Sequence, residues 1–113
     1  MIRIGIDIIN INRIENLIDK FGIHKLKFLN TDEFYTNKPE SIAGIFAAKE
    51  AFSKALGTGI GKSFSFKDIS VLKNSKGKPF IKINSSKIEI NNCDLSISHD
   101  GGFAIAAVIV ETK

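Results

Sequence analysis

At 113 residues the chain has the size of one domain, spanning 1–113, and can bury about two-thirds of its unfolded surface without staples. A formal charge of +4 and a pI near 9.3 favour an anionic partner, but the lysines are scattered, no arginine-rich run occurs and the aromatics sit in core-like settings, which argues against nucleic acid. No apolar run approaches the roughly 20 residues of a membrane span, the N-terminus opens directly on strand pattern, and the lone Cys93 cannot form an internal disulfide; a reducing cytoplasm and a buried structural thiol are expected.

In chain order, Ile2, Ile4, Ile6 and Ile8 alternate with Arg3, Gly5, Asp7 and Ile9, the period-two signature of a strand whose isoleucine face is expected in the core. Asp7 then lies on the other face. With Gly5 leaving room beside it, Asp7 reads either as a carboxylate facing a cleft or as an exposed acid at a strand end. Asn12 and Glu15 suggest a helix start, Ile14, Leu17, Ile18 and Phe21 follow at helical spacing, and Gly22 ends the run. Arg13, Asn16 and Lys20 point outward, and with Lys25 and Lys27 they form either a solvated surface or a basic one for an acidic partner. Thr31-Asp32-Glu33 reads as another helix start, and Pro39 suits the first turn of a long central helix.

On that central helix Ile45, Ala48, Phe52, Ala55 and Leu56 share one side, which is assigned to the core. The opposite side carries Glu50 and Lys54 one turn apart, with Phe46 and Ala47. Glu50 and Lys54 are either a surface ion pair worth about 0.2–0.5 kcal/mol or half of a site. Gly57 terminates the helix, and Gly59 and Gly61 either admit close backbone approach or form a plain loop. Ile69 to Lys73 and Phe80 to Ile83 flank a glycine-containing hairpin loop, 74–79. Ser85 to Asn92 is open between loop and helical turn. Leu95 to His99, Asp100-Gly101-Gly102 and Phe103 to Val110 form a second hairpin, whose last strand is apolar on both faces and so is expected to be covered on both. Strand, helices, then strands make the class α+β.

Asp7 and Glu50 are hard oxygen donors of the kind Mg²⁺ takes beside substrate phosphates. Lys54 would neutralise a phosphate oxygen, and His99, unless it is merely structural, would donate a hydrogen bond to another. Such a set suits a pyrophosphate or phosphoryl group, where catalysis is mostly positioning and charge neutralisation.

Gly5-Ile6-Asp7-Ile8-Ile9 with Arg13-Ile14, the run Phe46 to Gly61, Gly77-Lys78-Pro79 and Leu95-Ser96-Ile97-Ser98-His99 resemble, in the same order, the holo-acyl-carrier-protein synthases, small bacterial 4′-phosphopantetheinyl transferases. The resemblance implies their fold, an antiparallel sheet packed with a long central helix and shorter helices. It also implies transfer of phosphopantetheine from coenzyme A to a serine of apo-acyl-carrier protein, releasing adenosine 3′,5′-bisphosphate. Asp7 and Glu50 would be the Mg²⁺ ligands, Lys54 and His99 would meet the coenzyme A phosphates, and Gly57 would line the nucleotide pocket. Glu50 would act as base through a water on the metal, and Lys54 would offset charge on the leaving group. A homotrimer with sites between subunits is implied, which would account for Phe46 on the outer helix face, as is a basic helix bearing Arg13 for the acidic carrier. Two positions depart from the family pattern: Ile45 replaces a frequent arginine, and Asp100 replaces a usual threonine or serine after His99.

Overall fold

The computed structural model describes residues Met1–Lys113. Strand β1 (Ile2–Asn10) leads directly into helix α1 (Ile11–Phe21), and helix α2 (Pro39–Leu56) precedes strands β2 (Ile69–Lys73), β3 (Pro79–Ile83), β4 (Ile90–Asp100) and β5 (Phe103–Thr112). The strands form two antiparallel sheets, a three-stranded one in the order β1-β5-β4 and the β2-β3 hairpin. The α+β class and both hairpins stand as read from the sequence.

The face of β1 that meets the core is the opposite of the expected one. Ile2, Ile4, Ile6 and Ile8 are 62%, 70%, 55% and 59% exposed, while Gly5 and Ile9 are buried. The alternation was sound, but periodicity does not say which face is covered. Clearance decides it. A Cβ placed on Gly5 would lie 1.9 Å from the Ala51 carbonyl oxygen and 2.7 Å from the Ala55 nitrogen, so the small residue marks where α2 crosses the strand. On β5 the same selection buries Ala104, Ala106, Val108 and Val110 and leaves Phe103 and Ile109 43% and 47% exposed; β5 is therefore covered on one face only within the chain.

Helix α1 is capped by Asn10 rather than Asn12, the Asn10 side chain accepting from the Asn12 backbone N–H at 2.9 Å. Gly22 does close it. Thr31–Glu33 makes a single 3-10 turn instead of a longer helix, with Asn30 as its cap. The segment 85–92 turns once and enters β4 at Ile90. Cys93 on β4 is half-buried, and burial pushes its thiol up.

Helix α2 begins with Pro39 in its first turn, as expected, and is buried nearly all round. Ala47, expected on the outer face, is fully buried, because the sheet covers one side of α2 while the segment 28–33 and β2 cover the other. Lys49 is buried among them. Its ammonium donates to Glu33 Oε1 at 2.6 Å, to the Phe28 carbonyl at 2.6 Å and to the Phe66 carbonyl at 3.0 Å. Glu33 also accepts from the backbone N–H groups of Asn30 and Val71, each at 2.7 Å. Every polar atom of the pair is thus matched, the condition under which buried charge is tolerated.

Candidate functional site

Asp7 projects from the core-facing side of β1 toward the last two turns of α2. Lys54 Nζ donates to Asp7 Oδ1 and to the Ile6 carbonyl, both at 3.0 Å. The Asp7 side chain is 17% exposed and that of Lys54 53%, so the lysine lies along the rim with its head in solvent. Of the two readings of Glu50 and Lys54, the mutual ion pair does not form, since the strand carboxylate of Asp7 takes the ammonium instead. Glu50, half-buried one turn earlier, has its carboxyl pushed up by burial first and then by the negative charge of Asp7, with Lys54 and Arg13 pulling it back. Two carboxylates that repel each other beneath a cation fit a divalent ion, which would relieve that repulsion, and both are hard oxygen donors.

His99 stands apart from this group. It is on β4, at the edge of the sheet opposite β1, and its Nε2 donates to the Glu40 carbonyl at 2.8 Å near the start of α2. That contact assigns the proton to Nε2, so donation to a ligand from the same position falls to a protonated Nδ1. His99 lines a cavity of about 180 Å³ with Gly77 and Pro79 of the hairpin and with Ile45. A second depression of about 280 Å³ is lined by Asp7, Lys54 and β1 and β5 isoleucines. The two share no residue. Each is below the roughly 300–1,000 Å³ usual for a small-molecule site.

Gly57 lines neither cavity. It holds φ +81° at the end of α2, where its N–H donates to the Lys54 carbonyl at 3.0 Å, a left-handed cap that glycine adopts without cost. Ile45 is 1% exposed and belongs to the core, while Asp100 at the end of β4 is exposed. The polar groups that sequence reasoning passed over are Lys49 and Glu33. The signal for Lys49 was its spacing, four residues after Ile45 and three before Phe52, which puts a lysine in an apolar stripe.

Residues 3–108 match the model of the 4'-phosphopantetheinyl transferase superfamily. The chain is 58% identical over 110 residues to the holo-[acyl-carrier-protein] synthase of Nautilia profundicola, covering 95% of this chain and 97% of that protein. The crystal structure of the Helicobacter pylori holo-[acyl-carrier-protein] synthase in complex with coenzyme A superposes with a TM-score of 0.89 at 47% identity, covering 96% of this chain and 99% of that one. The Neisseria meningitidis synthase superposes with a TM-score of 0.86 at 34% identity, over 99% of this chain and 100% of that one. With Asp7, Glu50 and Lys54 drawn together where β1 passes under α2, and with likeness of this extent along its length, the chain belongs to the 4'-phosphopantetheinyl transferase superfamily, among the holo-[acyl-carrier-protein] synthases.

Proposed function

We propose that this chain transfers the 4′-phosphopantetheine arm of coenzyme A to a serine of an apo-acyl-carrier protein, releasing adenosine 3′,5′-bisphosphate. The convergence of Asp7, Glu50 and Lys54 carries the reading, because it sets two oxygen donors and one cation at a single solvent-accessible point. Asp7 and Glu50 would hold Mg²⁺, which when bound lends charge neutralisation to the pyrophosphate and makes the pantetheine-side phosphorus a better electrophile. The serine oxygen attacks that phosphorus, and the bond to the bisphosphate breaks with its electron pair leaving on the bisphosphate. Glu50, whose carboxyl is made more basic by burial, takes up the serine proton through an intervening water. Lys54, lying along the rim with its head in water, offsets the charge growing on the leaving group. His99 and Gly57 complete the coenzyme A contacts, His99 through a phosphate and Gly57 along the nucleotide.

The reading includes a homotrimer in the cytoplasm. Supporting the assembly are the uncovered isoleucine row of β1 beside Ile109, an apolar area of the kind that marks an interface, and the placement of Asp7 and His99 on opposite edge strands. A neighbouring copy would join one chain's Asp7 half to another's His99 half. The acidic carrier docks at Arg13. No helix is long and apolar enough to cross a membrane.

The direct test is the intact mass of an apo-acyl-carrier protein incubated with this protein, coenzyme A and Mg²⁺. A gain of one phosphopantetheine that a chelator abolishes is expected. Coenzyme A binding without any mass gain would instead identify a binding module.

A further inference from the structure

Helix α1 is a poor electrostatic lure. Arg13 and Lys20 on its surface are balanced by Glu15 and Asp19, so a docking acid cannot be drawn by a broad positive field and must be met by an individually placed cation. Arg13 is such a cation. It enters no hydrogen bond and no ion pair, leaving its N–H donors free for a carboxylate. An exposed arginine with no partner ordinarily samples many rotamers, and ordering it on binding costs affinity.

Here the guanidinium has one partner, an aromatic face. Arg13 Cζ lies 5.8 Å from the centroid of the Phe46 ring, within cation–π range. That ring is itself fixed, its centroid 5.0 Å from that of Phe28 and 5.6 Å from that of Phe66. Phe46 stands on α2 one turn before Glu50. A π face restrains a guanidinium without consuming its donors, which an acidic side chain in the same place would do. We propose that Phe46 is a positioning residue for carrier-protein docking: its ring, seated on Phe28 and Phe66, holds Arg13 against α2 one turn before Glu50, with its hydrogen-bond donors free for an acidic group of the carrier. The assignment rests on the transferase reading above, and gives Phe46 work within one subunit in addition to any contact between subunits.

The test is a double-mutant cycle on the full-length protein. The probe is an apo-acyl-carrier protein whose acceptor serine is replaced by alanine, so that binding is read without turnover, and KM for coenzyme A is measured in parallel with the native carrier. Phe46→Leu is expected to weaken carrier binding by roughly twofold to fivefold, Arg13→Ala by more, and Phe46→Leu added to Arg13→Ala by nothing further. Phe46→Tyr, which keeps the ring, should bind like the unaltered protein, and KM for coenzyme A should be unchanged in every variant. Should leucine disturb folding, as judged by circular dichroism, methionine replaces it in the cycle as an apolar side chain without a π face. Equal losses from Phe46→Leu with and without Arg13, or a tyrosine variant as weak as the leucine one, would overturn the proposal. An unaltered protein that neither binds nor modifies the carrier would instead bring down the transferase reading on which it rests.

Discussion

Replacement of Glu50 by glutamine is expected to cut transfer by roughly 10²–10⁴-fold while raising the melting temperature of the metal-free protein. Both follow from one circumstance: the fold brings Glu50 out of water and next to Asp7, which disfavours its ionised form. The folded protein therefore holds the Glu50 proton more tightly than the unfolded chain does. As pH rises from below the ordinary value of 4.5, the unfolded chain releases this proton first, and stability falls until the folded carboxyl has also ionised. Above that window the cost is present in full, and glutamine removes it. The gain in melting temperature should thus be clear at neutral pH and fade as the solution is acidified toward 4.5. Adding Mg²⁺ should then raise the melting temperature of the unaltered protein and leave the glutamine variant nearly unmoved. Thermal melts in chelator and in Mg²⁺, at neutral and acidic pH, give the answer. A glutamine variant that melts lower than its parent, or that still modifies the carrier at the usual rate, would remove Glu50 from the site.

Lys49→Met should be the most damaging single change to stability, at about 3–5 kcal/mol, a large share of the roughly 5–15 kcal/mol that holds a small protein folded. The lysine ties α2 to the segment 28–33 through two hydrogen bonds of 2.6 Å and to Phe66 through one of 3.0 Å, and it is fully buried. Burial pulls its ammonium down, and the Glu33 charge offsets part of that effect. Methionine fills similar volume but strands Glu33 as a buried anion with only the Asn30 and Val71 N–H groups as donors. Neutralising that anion in the double variant Lys49→Met/Glu33→Gln should recover part of the loss. Urea unfolding supplies the measurement; a shift below about 1 kcal/mol in the single variant would mean that the pair is not buried in solution as drawn.

How far the sequence carried the reading depended on the kind of signal. Turn chemistry was dependable: Pro39, Gly22, Gly57 and the two glycine-bearing hairpins lie where the pattern put them, since each is a local requirement of the backbone. Burial was not, because it depends on what packs from afar. The isoleucines of β1 look more like core than Gly5 does, yet a helix that crosses a strand closely selects the glycine side. Helix α2 read as two-faced although it is enclosed on nearly all sides, which is why Ala47 was placed on an outer face and buried Lys49 was passed over. For the site, Asp7, Glu50 and Lys54 were brought together as anticipated, though with Lys54 paired to Asp7. His99 was not brought to them: it lies on β4, across the sheet from β1, and local sequence pattern does not report which strands end up as neighbours.

That separation of Asp7 and His99 onto opposite edge strands bears on heredity. If neighbouring copies supply the two halves of each reaction centre, an allele encoding Asp7→Ala and one encoding His99→Ala spoil different halves, and each alone yields assemblies with no sound centre. A cell carrying both would build mixed assemblies in which some centres pair the intact half of one product with the intact half of the other. Two defective genes would then restore in combination the carrier modification that neither restores alone. Co-expression followed by the carrier mass assay would reveal it, and mixed assemblies without activity would mean that each chain works by itself.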